Sequence, residues 1–184
     1  MRAVSPRTEA GLTIPEVLIS AVIMVGIGAA CLSTQLGATS LMNESMVRSA
    51  LEERAFFAVK DVAFDTRWAE GAALLLTAEN GSARLDLHTP VDYDHATHAP
   101  VWSATITYHV VPSSNDANGN GVLDEGCLVR VQGAATRVIC DDLVPGGFVA
   151  TRVGDDVTLQ VRLLRQHGGR PVAVTAATAV TIRN

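Results

Sequence analysis

An uninterrupted apolar stretch near the amino terminus constrains this chain more than any other feature. From Val17 to Asn43 no residue carries a formal charge at neutral pH, and the nearest carboxylates on either side are Glu16 and Glu44. About 20 apolar residues in a helix cross the hydrocarbon core of a bilayer. The stretch therefore predicts a membrane-spanning helix. Glu16 at its border requires a compensating partner, because an anion at that position is costly.

The residues around this stretch distinguish three kinds of targeting segment. The leading residues MRAVSPRTEAG are net basic, as expected for the cytoplasmic flank of an inserted helix. A cleaved secretory signal has an apolar core of about 7 to 15 residues, and the apolar character here continues past that length. A lipoprotein would be acylated at Cys31, but Gly28 stands where that motif expects a large aliphatic residue. Glu16 would also lie inside the apolar core of such a signal.

A third kind of targeting segment is indicated by the stretch GLTIPE, which begins at Gly11, and by the apolar and small residues that follow it. These residues resemble the processing motif of type IV pilins and type II secretion pseudopilins. In that family a membrane peptidase cuts after the glycine, methylates the new amino terminus and leaves a glutamate at the fifth mature position. The resemblance implies cleavage between Gly11 and Leu12, methylation of Leu12 and retention of Glu16. Ile14, at the third mature position, departs mildly from the family pattern.

Such cleavage would supply Glu16 with a charged partner. It creates an ammonium group on Leu12, and a helix packed beside its neighbour can bring that amine against the carboxylate in a medium of low dielectric constant. In the family this glutamate is thought to pair with the amino terminus of a neighbouring subunit during assembly. Alternatively, Glu16 lies at the lipid headgroups near a helix amino terminus, where the helix dipole favours an anion.

Beyond Asn43 the pattern becomes that of an amphipathic helix, with aliphatic residues on one stripe and charges off it. The sequence predicts one helix from about residue 12 to about residue 64. Residues 12–43 would span the membrane or form a filament core, and residues 44–67 would pack on a domain. The stripe comprises Val47, Leu51, Ala55, Ala58 and Val62, and the charges off it are Glu44, Arg48, Glu52 and Lys60.

The remaining residues, 68–184, have the pattern of a β-rich globular domain. Asn80 and Gly81 separate two apolar-rich runs and predict a two-residue hairpin turn, because both can take positive φ. Further strands are predicted at VWSATITYHVV, CLVRVQ, ATRVIC, GFVATRV, DVTLQVRLLR and PVAVTAATAVTIR. After a leader peptide, residues 1–11, the predicted fold is α+β: a long amino-terminal helix packed on an antiparallel β-sheet, as in pilins.

Two of the three cysteines lie in a predicted hairpin of this domain. If the dipeptide 133–134 forms its turn, Cys127 lies opposite Cys140, and a disulfide would staple a hairpin exported to an oxidising compartment. Two buried free thiols are the alternative. The same register sets Arg130 opposite Arg137, which is unfavourable unless the pair is solvated or bound to an anion.

The segment NDANGNGVLDEG has the spacing of a calcium-binding loop. Oxygen-bearing side chains alternate and a glycine stands at the sixth position, as in an EF-hand loop. Position twelve is Cys127 instead of a bidentate glutamate, so the motif is incomplete. The alternative is a solvated turn, because Asn, Asp and Gly are the usual turn residues. The candidate calcium ligands are Asp116, Asn118, Asn120, Val122 and Asp124, with Glu125 as a substitute for the missing glutamate.

Other classes of site and partner are disfavoured. The segment HTPVDYDHATHAP concentrates histidines and aspartates, which favours an exposed, proline-bounded loop over a transition-metal site. The sequence contains no nucleophile elbow, P-loop or HExxH motif, so no catalysis is predicted. A net charge of −5 without any run of basic residues predicts no nucleic-acid partner.

The resemblance implies a minor subunit of a type IV pilus, anchored in the inner membrane by a single helix with its globular domain in the periplasm. It would join the filament near its tip and help to initiate or cap assembly. Implied partners are prepilin peptidase, other minor pilins, the major pilin, the inner-membrane assembly platform and a tip adhesin. Two alternatives remain: a minor pseudopilin of a type II secretion system, and a membrane-anchored, calcium-dependent adhesin or binding module.

Overall fold

A computed structural model describes residues 13–79, 81–111 and 126–183, in which one long helix precedes a series of strands. Helix α1 spans Ile14–Arg67. The arrangement is α+β and pilin-like, as predicted, with the helix packed on an antiparallel sheet. The strands are β1 (Leu75–Glu79), β2 (Ser82–Leu87), β3 (Pro90–Asp94), β4 (Ala99–Trp102), β5 (Ile106–Val111), β6 (Gly126–Gln132), β7 (Ala135–Val153), β8 (Asp156–His167) and β9 (Arg170–Thr181).

The chain divides into two units, Met1–Asn43 and Glu44–Asn184, and α1 runs from the first into the second. In the first unit every described side chain of α1 is exposed. The helix is long and apolar enough there to cross a membrane. Four hydroxyl side chains in this part, those of Ser20, Ser33, Thr34 and Thr39, donate to carbonyl groups of the same helix. Their polar groups are thus satisfied within the helix, as an apolar medium requires.

In the second unit, α1 buries one face against the sheet. The residues of the predicted stripe are buried, except that Val47 at its amino-terminal end is only half-buried. Burial of aliphatic side chains stabilises this contact by about 25 cal/mol for each Å² removed from water. The buried helix residues are Leu51, Ala55, Ala58, Val59 and Val62, and they share a core with Leu85, Ile106, Tyr108, Leu128, Phe148, Leu159, Val161 and Leu163 of the sheet.

Within the part of the chain that the structure describes, the main sheet has seven antiparallel strands in the order β1-β2-β5-β6-β7-β8-β9. The predicted hairpin around Gly81 is confirmed: β1 pairs with β2, and Gly81 has φ of 75°. Pairing of β7 with β8 is irregular between Leu143 and Phe148. At this irregularity a Cβ on Gly147 would lie 2.6 Å from the carbonyl oxygen of Arg162, so the close approach requires glycine.

Three details of the predicted strands are corrected by the structure. The segment VWSATITYHVV is divided between β4 and β5, which belong to different sheets. The segments ATRVIC and GFVATRV are parts of the single strand β7, which remains extended across its irregularities. The segment HTPVDYDHATHAP is not a loop, because it contains β3 and the start of β4. The Asp94 carboxylate accepts hydrogen bonds from the Ala96 N–H and the Thr97 hydroxyl and thereby stabilises the turn between these strands.

Candidate functional site

Glu16 caps the amino-terminal end of α1 by accepting hydrogen bonds from Thr13. The Thr13 N–H donates to Glu16 Oε2 at 2.9 Å, and the Thr13 hydroxyl donates to the same oxygen at 2.8 Å. The Val17 N–H donates to the Thr13 carbonyl at 3.1 Å, so Thr13 is the N-cap of the helix. The sequence Thr-Ile-Pro-Glu thus forms the glutamate half of a capping box, in which the glutamate satisfies a backbone donor that would otherwise lack a partner.

This geometry supplies part of the compensation that Glu16 requires within the chain itself. The carboxylate lies at the positive end of the helix dipole and accepts two hydrogen bonds from Thr13. Both bonds use Oε2, and Oε1 accepts none from the residues that the structure describes. Gly11 and Leu12 lie outside those residues, so processing between them and the pairing of the Leu12 amine with Glu16 stay predictions.

A cross-strand pair of arginines contacts α1 in the second unit. Arg130 lies opposite Arg137, as predicted. The anions that the pair requires come from the helix: Arg130 Nε donates to Asp65 Oδ2 at 2.9 Å, and Arg137 forms an ion pair with Asp61. Asp61 and Asp65 are four residues apart and therefore lie on one helix face. The Tyr108 hydroxyl also donates to Asp65 Oδ2, at 2.7 Å.

Burial and the neighbouring Asp65 carboxylate raise the pKa of Tyr108 well above its usual range. The phenol is therefore protonated at neutral pH and remains a hydrogen-bond donor. Asp65 has 15% of its side chain exposed, whereas Asp61 has 49%. Asp65 is thus the more shielded of the two carboxylates, and its contacts with Arg130 and Tyr108 link α1 to β5 and β6.

A second ionic cluster lies around Asp142 of β7. Arg54 of α1 donates to Asp141 at 2.7 Å and to Asp142 at 3.3 Å, and Arg165 of β8 also pairs with Asp142. Asp142 is buried and has a positive φ of 63°, at a point where the pairing of β6 with β7 is irregular. Aspartate tolerates this backbone conformation better than most residues. The cluster therefore links the helix to the sheet at the position where β7 departs from regular pairing.

The predicted register of the two cysteines is wrong. Cys140 lies opposite Leu128, because Ile139 is an extra residue in β7 between the pairs Val129–Val138 and Leu128–Cys140. Within the described residues both thiols are free, with Cys127 half-buried and Cys140 buried. Burial raises the pKa of Cys127, and it raises the pKa of Cys140 to about 12. The disulfide between them stays a prediction.

The candidate calcium ligands, Asp116, Asn118, Asn120, Val122, Asp124 and Glu125, all lie outside the described residues. Calcium binding by this segment therefore stays a prediction. Across residues 13–79, 81–111 and 126–183, no group of three or more His, Cys, Asp or Glu side chains is arranged to hold a metal ion. His88, in the histidine-rich segment, places Nδ1 2.9 Å from the Ser103 carbonyl oxygen.

The ionic contacts between helix and sheet were not foreseen, although the sequence contains a signal for one of them. Asp61 and Asp65 stand four residues apart, next to the predicted buried stripe, and the predicted hairpin already required an anion near Arg130 and Arg137. These two observations together would have suggested the pairing. No comparable signal marks Asp142, because its position depends on an irregularity in strand pairing.

Comparison with known proteins returns no similarity. The chain matches no protein-family model, no curated protein and no solved structure.

Proposed function

We propose that this protein is a minor subunit of a type IV pilus that is processed at its amino terminus and joins the filament near the tip. The observation that carries the proposal is the position of the GLTIPE stretch, which ends in the first turn of a helix of 54 residues. The apolar side chains that follow Glu16 are exposed in the single chain. Such a surface suits lipid before assembly and neighbouring helices after it.

The capping geometry of Glu16 is compatible with this role. Cleavage after Gly11 would make Thr13 the second residue of the mature chain and would leave both of its hydrogen bonds to Glu16 available. The Leu12 ammonium would then be a donor for the remaining carboxylate oxygen, Oε1, on a neighbouring subunit. Removal of either charge would leave the other without a partner in a medium of low dielectric constant, which is costly.

The proposed location is the inner membrane, with α1 as a single-pass anchor and the β-rich domain in the periplasm. Prepilin peptidase, the assembly platform, other minor pilins and the major pilin are the proposed partners, and an adhesin is proposed for a tip position. A minor pseudopilin of a type II secretion system would use the same motif and helix and would differ in the filament that it joins. A calcium-dependent adhesin would instead use the segment from Asp116 to Asp124.

Mass spectrometry of the full chain purified from membranes tests the processing step. A mature chain that begins with methyl-Leu12 supports the proposal, whereas acylation at Cys31 or an intact Met1 contradicts it. Replacement of Gly11 by a bulky residue should leave the protein at precursor mass, because a side chain would crowd a peptidase site that must approach the backbone closely. Normal cleavage of that variant would be evidence against the assignment.

Deletion of the protein separates the two filament systems. Loss of surface pili with normal protein secretion would favour the pilus subunit, and loss of secretion with normal pili would favour the pseudopilin. Restoration by the wild-type chain, and by a Cys31→Ser chain that cannot be acylated there, is the matched control.

A further inference from the structure

Beyond its first two residues, the outer edge of β9 lacks the features that usually protect an edge strand. Among the described residues only β8 pairs with β9, and that register runs without interruption from Asp156–Thr181 to His167–Arg170. From Val172 to Thr181 the strand contains no charged residue and no proline. Natural proteins usually protect such edges with charges, prolines, bulges or short strands, because unpaired backbone groups accept another strand.

The opposite edge of the sheet is protected. Strand β1 is only five residues long, and its last residue, Glu79, accepts a hydrogen bond from Arg84 at 3.3 Å. Strand β9 has 12 residues. The long, regular edge, which is uncharged from Val172 to Thr181, is therefore a particular property of β9.

An open groove of about 620 Å³ lies between α1 and the carboxyl-terminal end of β9. Its apolar wall includes Phe64, whose side chain is 66% exposed, and Val180. Its charged residues are Lys60, Arg67 and Arg183, and no carboxylate lines the groove. None of these cations forms an ion pair with a described residue. The groove therefore offers positive charge beside a strand edge that can accept backbone hydrogen bonds.

We propose that the outer edge of β9 binds an extended, acidic segment of a different protein chain. The segment would add to the sheet as a further strand, with affinity from main-chain hydrogen bonds and specificity from side chains that enter adjacent pockets. Its carboxylates would lie beside Lys60, Arg67 and Arg183. This interaction surface does not depend on the processing of the amino terminus, because all of its residues belong to the second unit.

Charge and length favour a different chain over a second copy. Antiparallel pairing of β9 with β9 of a second copy would bring Arg170 of that copy toward the cationic end of the strand, which is unfavourable. Pairing with β1 of a second copy would cover five of the 12 residues of β9. The β9 arrangement brings no carboxylate to the groove, and the β1 arrangement brings only Glu79, which already accepts a hydrogen bond from Arg84.

The test uses the full chain in detergent micelles and a fluorescent synthetic peptide of alternating threonine and valine with glutamates at one end only. Binding is followed by fluorescence anisotropy. We expect saturable binding, which should weaken by about tenfold or more when the glutamates are replaced by lysines or when Arg67→Glu and Arg183→Glu are combined, because charge complementarity is reversed. A Lys60→Glu chain provides an independent reversal if the double variant does not fold.

Two controls separate strand addition from general attraction. Arg170→Glu changes the charge of the same strand by as much as Lys60→Glu changes that of the groove, but at the end of β9 away from the glutamates, and it should leave binding unchanged. A proline in the middle of the peptide should abolish binding, because proline cannot donate to a ladder. Absence of binding at millimolar peptide, equal binding of the proline peptide, or insensitivity to the groove reversals would overturn the proposal. Self-association in sedimentation that excludes the peptide would assign the edge to a second copy instead.

Discussion

Arg130 of β6 donates to Asp65 of α1 at 2.9 Å, so the helix supplies the anion that a cross-strand arginine pair needs. The ion pair is mostly shielded from solvent, with 24% of the arginine side chain and 15% of the aspartate side chain exposed. Loss of one partner of a shielded pair costs more than loss of a surface pair, because the other charge is left uncompensated. The rotation of α1 on the sheet is therefore set partly by electrostatics as well as by the buried stripe.

Asp65→Ala should lower the free energy of unfolding by about 2 to 3 kcal/mol, because it leaves Arg130 and the Tyr108 hydroxyl without their acceptor. Asp61→Ala, which breaks the exposed pair with Arg137, is the matched control and should cost less than about 1 kcal/mol. Chemical denaturation of the full chain in detergent measures both values. Equal losses for the two variants would contradict the distinction between the shielded and the exposed pair.

Cys140 should make the reduced protein less stable at alkaline pH. Its pKa is raised by burial to about 12 in the folded protein, against about 8.5 in an unfolded chain. The contribution of the protonated Cys140 thiol to the free energy of unfolding is therefore fully present below about pH 8.5. It is lost as the pH rises toward 12, because the thiol of the unfolded chain releases its proton first. Denaturation in reductant at a series of pH values should show this decline, and Cys140→Ala should reduce its slope. An unchanged slope would assign the decline to other groups, such as Tyr108.

The predicted disulfide can be tested by thiol labelling of protein exported from the cell. If Cys127 and Cys140 are joined, alkylation of the unfolded chain without reductant should modify Cys31 alone, and prior reduction should expose two further thiols. Cys127→Ser is the control, since it should release Cys140 for labelling without reductant. Labelling of all three cysteines before reduction would instead match the free thiols and the shifted register of the structure.

Glu16→Gln separates the capping role of Glu16 from its proposed role in assembly. Glutamine at this position can still accept from the Thr13 N–H in a capping box, but it carries no charge. For this variant, and for Glu16→Ala, we expect normal membrane insertion and cleavage with reduced recovery in sheared filaments. Thr13→Val keeps the backbone donor and the Glu16 charge and should assemble more efficiently than either. If Glu16→Gln assembles like the wild type, the residue serves to cap the helix.

Calcium should stabilise the protein weakly through the segment from Asp116 to Asp124. Without a glutamate at position twelve, the dissociation constant should resemble that of extracellular modules, about 0.1 to 1 mM. Calcium at about ten times that value should add roughly 1.4 kcal/mol to the free energy of unfolding. Thermal melts in excess calcium and in chelator, repeated for Asp116→Ala, measure the effect. Identical melting temperatures would mean that the segment is only a turn, and an undiminished response of the variant would place the ion elsewhere.

The sequence by itself determined the elements whose signal is local. The apolar run after Glu16, the buried stripe that includes Leu51 and Val62, and the turn at Gly81 were all predicted correctly. Helical periodicity and the tolerance of glycine for positive φ depend on neighbours a few residues away, so they can be identified without knowledge of the fold. The sequence also determined that Arg130 and Arg137 lie opposite each other, because a two-residue turn sets the register of the residues next to it.

Only the tertiary structure decided the strand register beyond the residues next to each turn and the contacts between residues far apart in the chain. The extra residue Ile139 shifted the register and separated Cys127 from direct opposition to Cys140, since one inserted residue changes every later pair in a strand. The contacts of Asp65 with Arg130 and of Asp142 with Arg165 join residues far apart in the chain. Such contacts depend on strand register and on the rotation of the helix, and both are decided by the packing of the whole core, which no local pattern encodes.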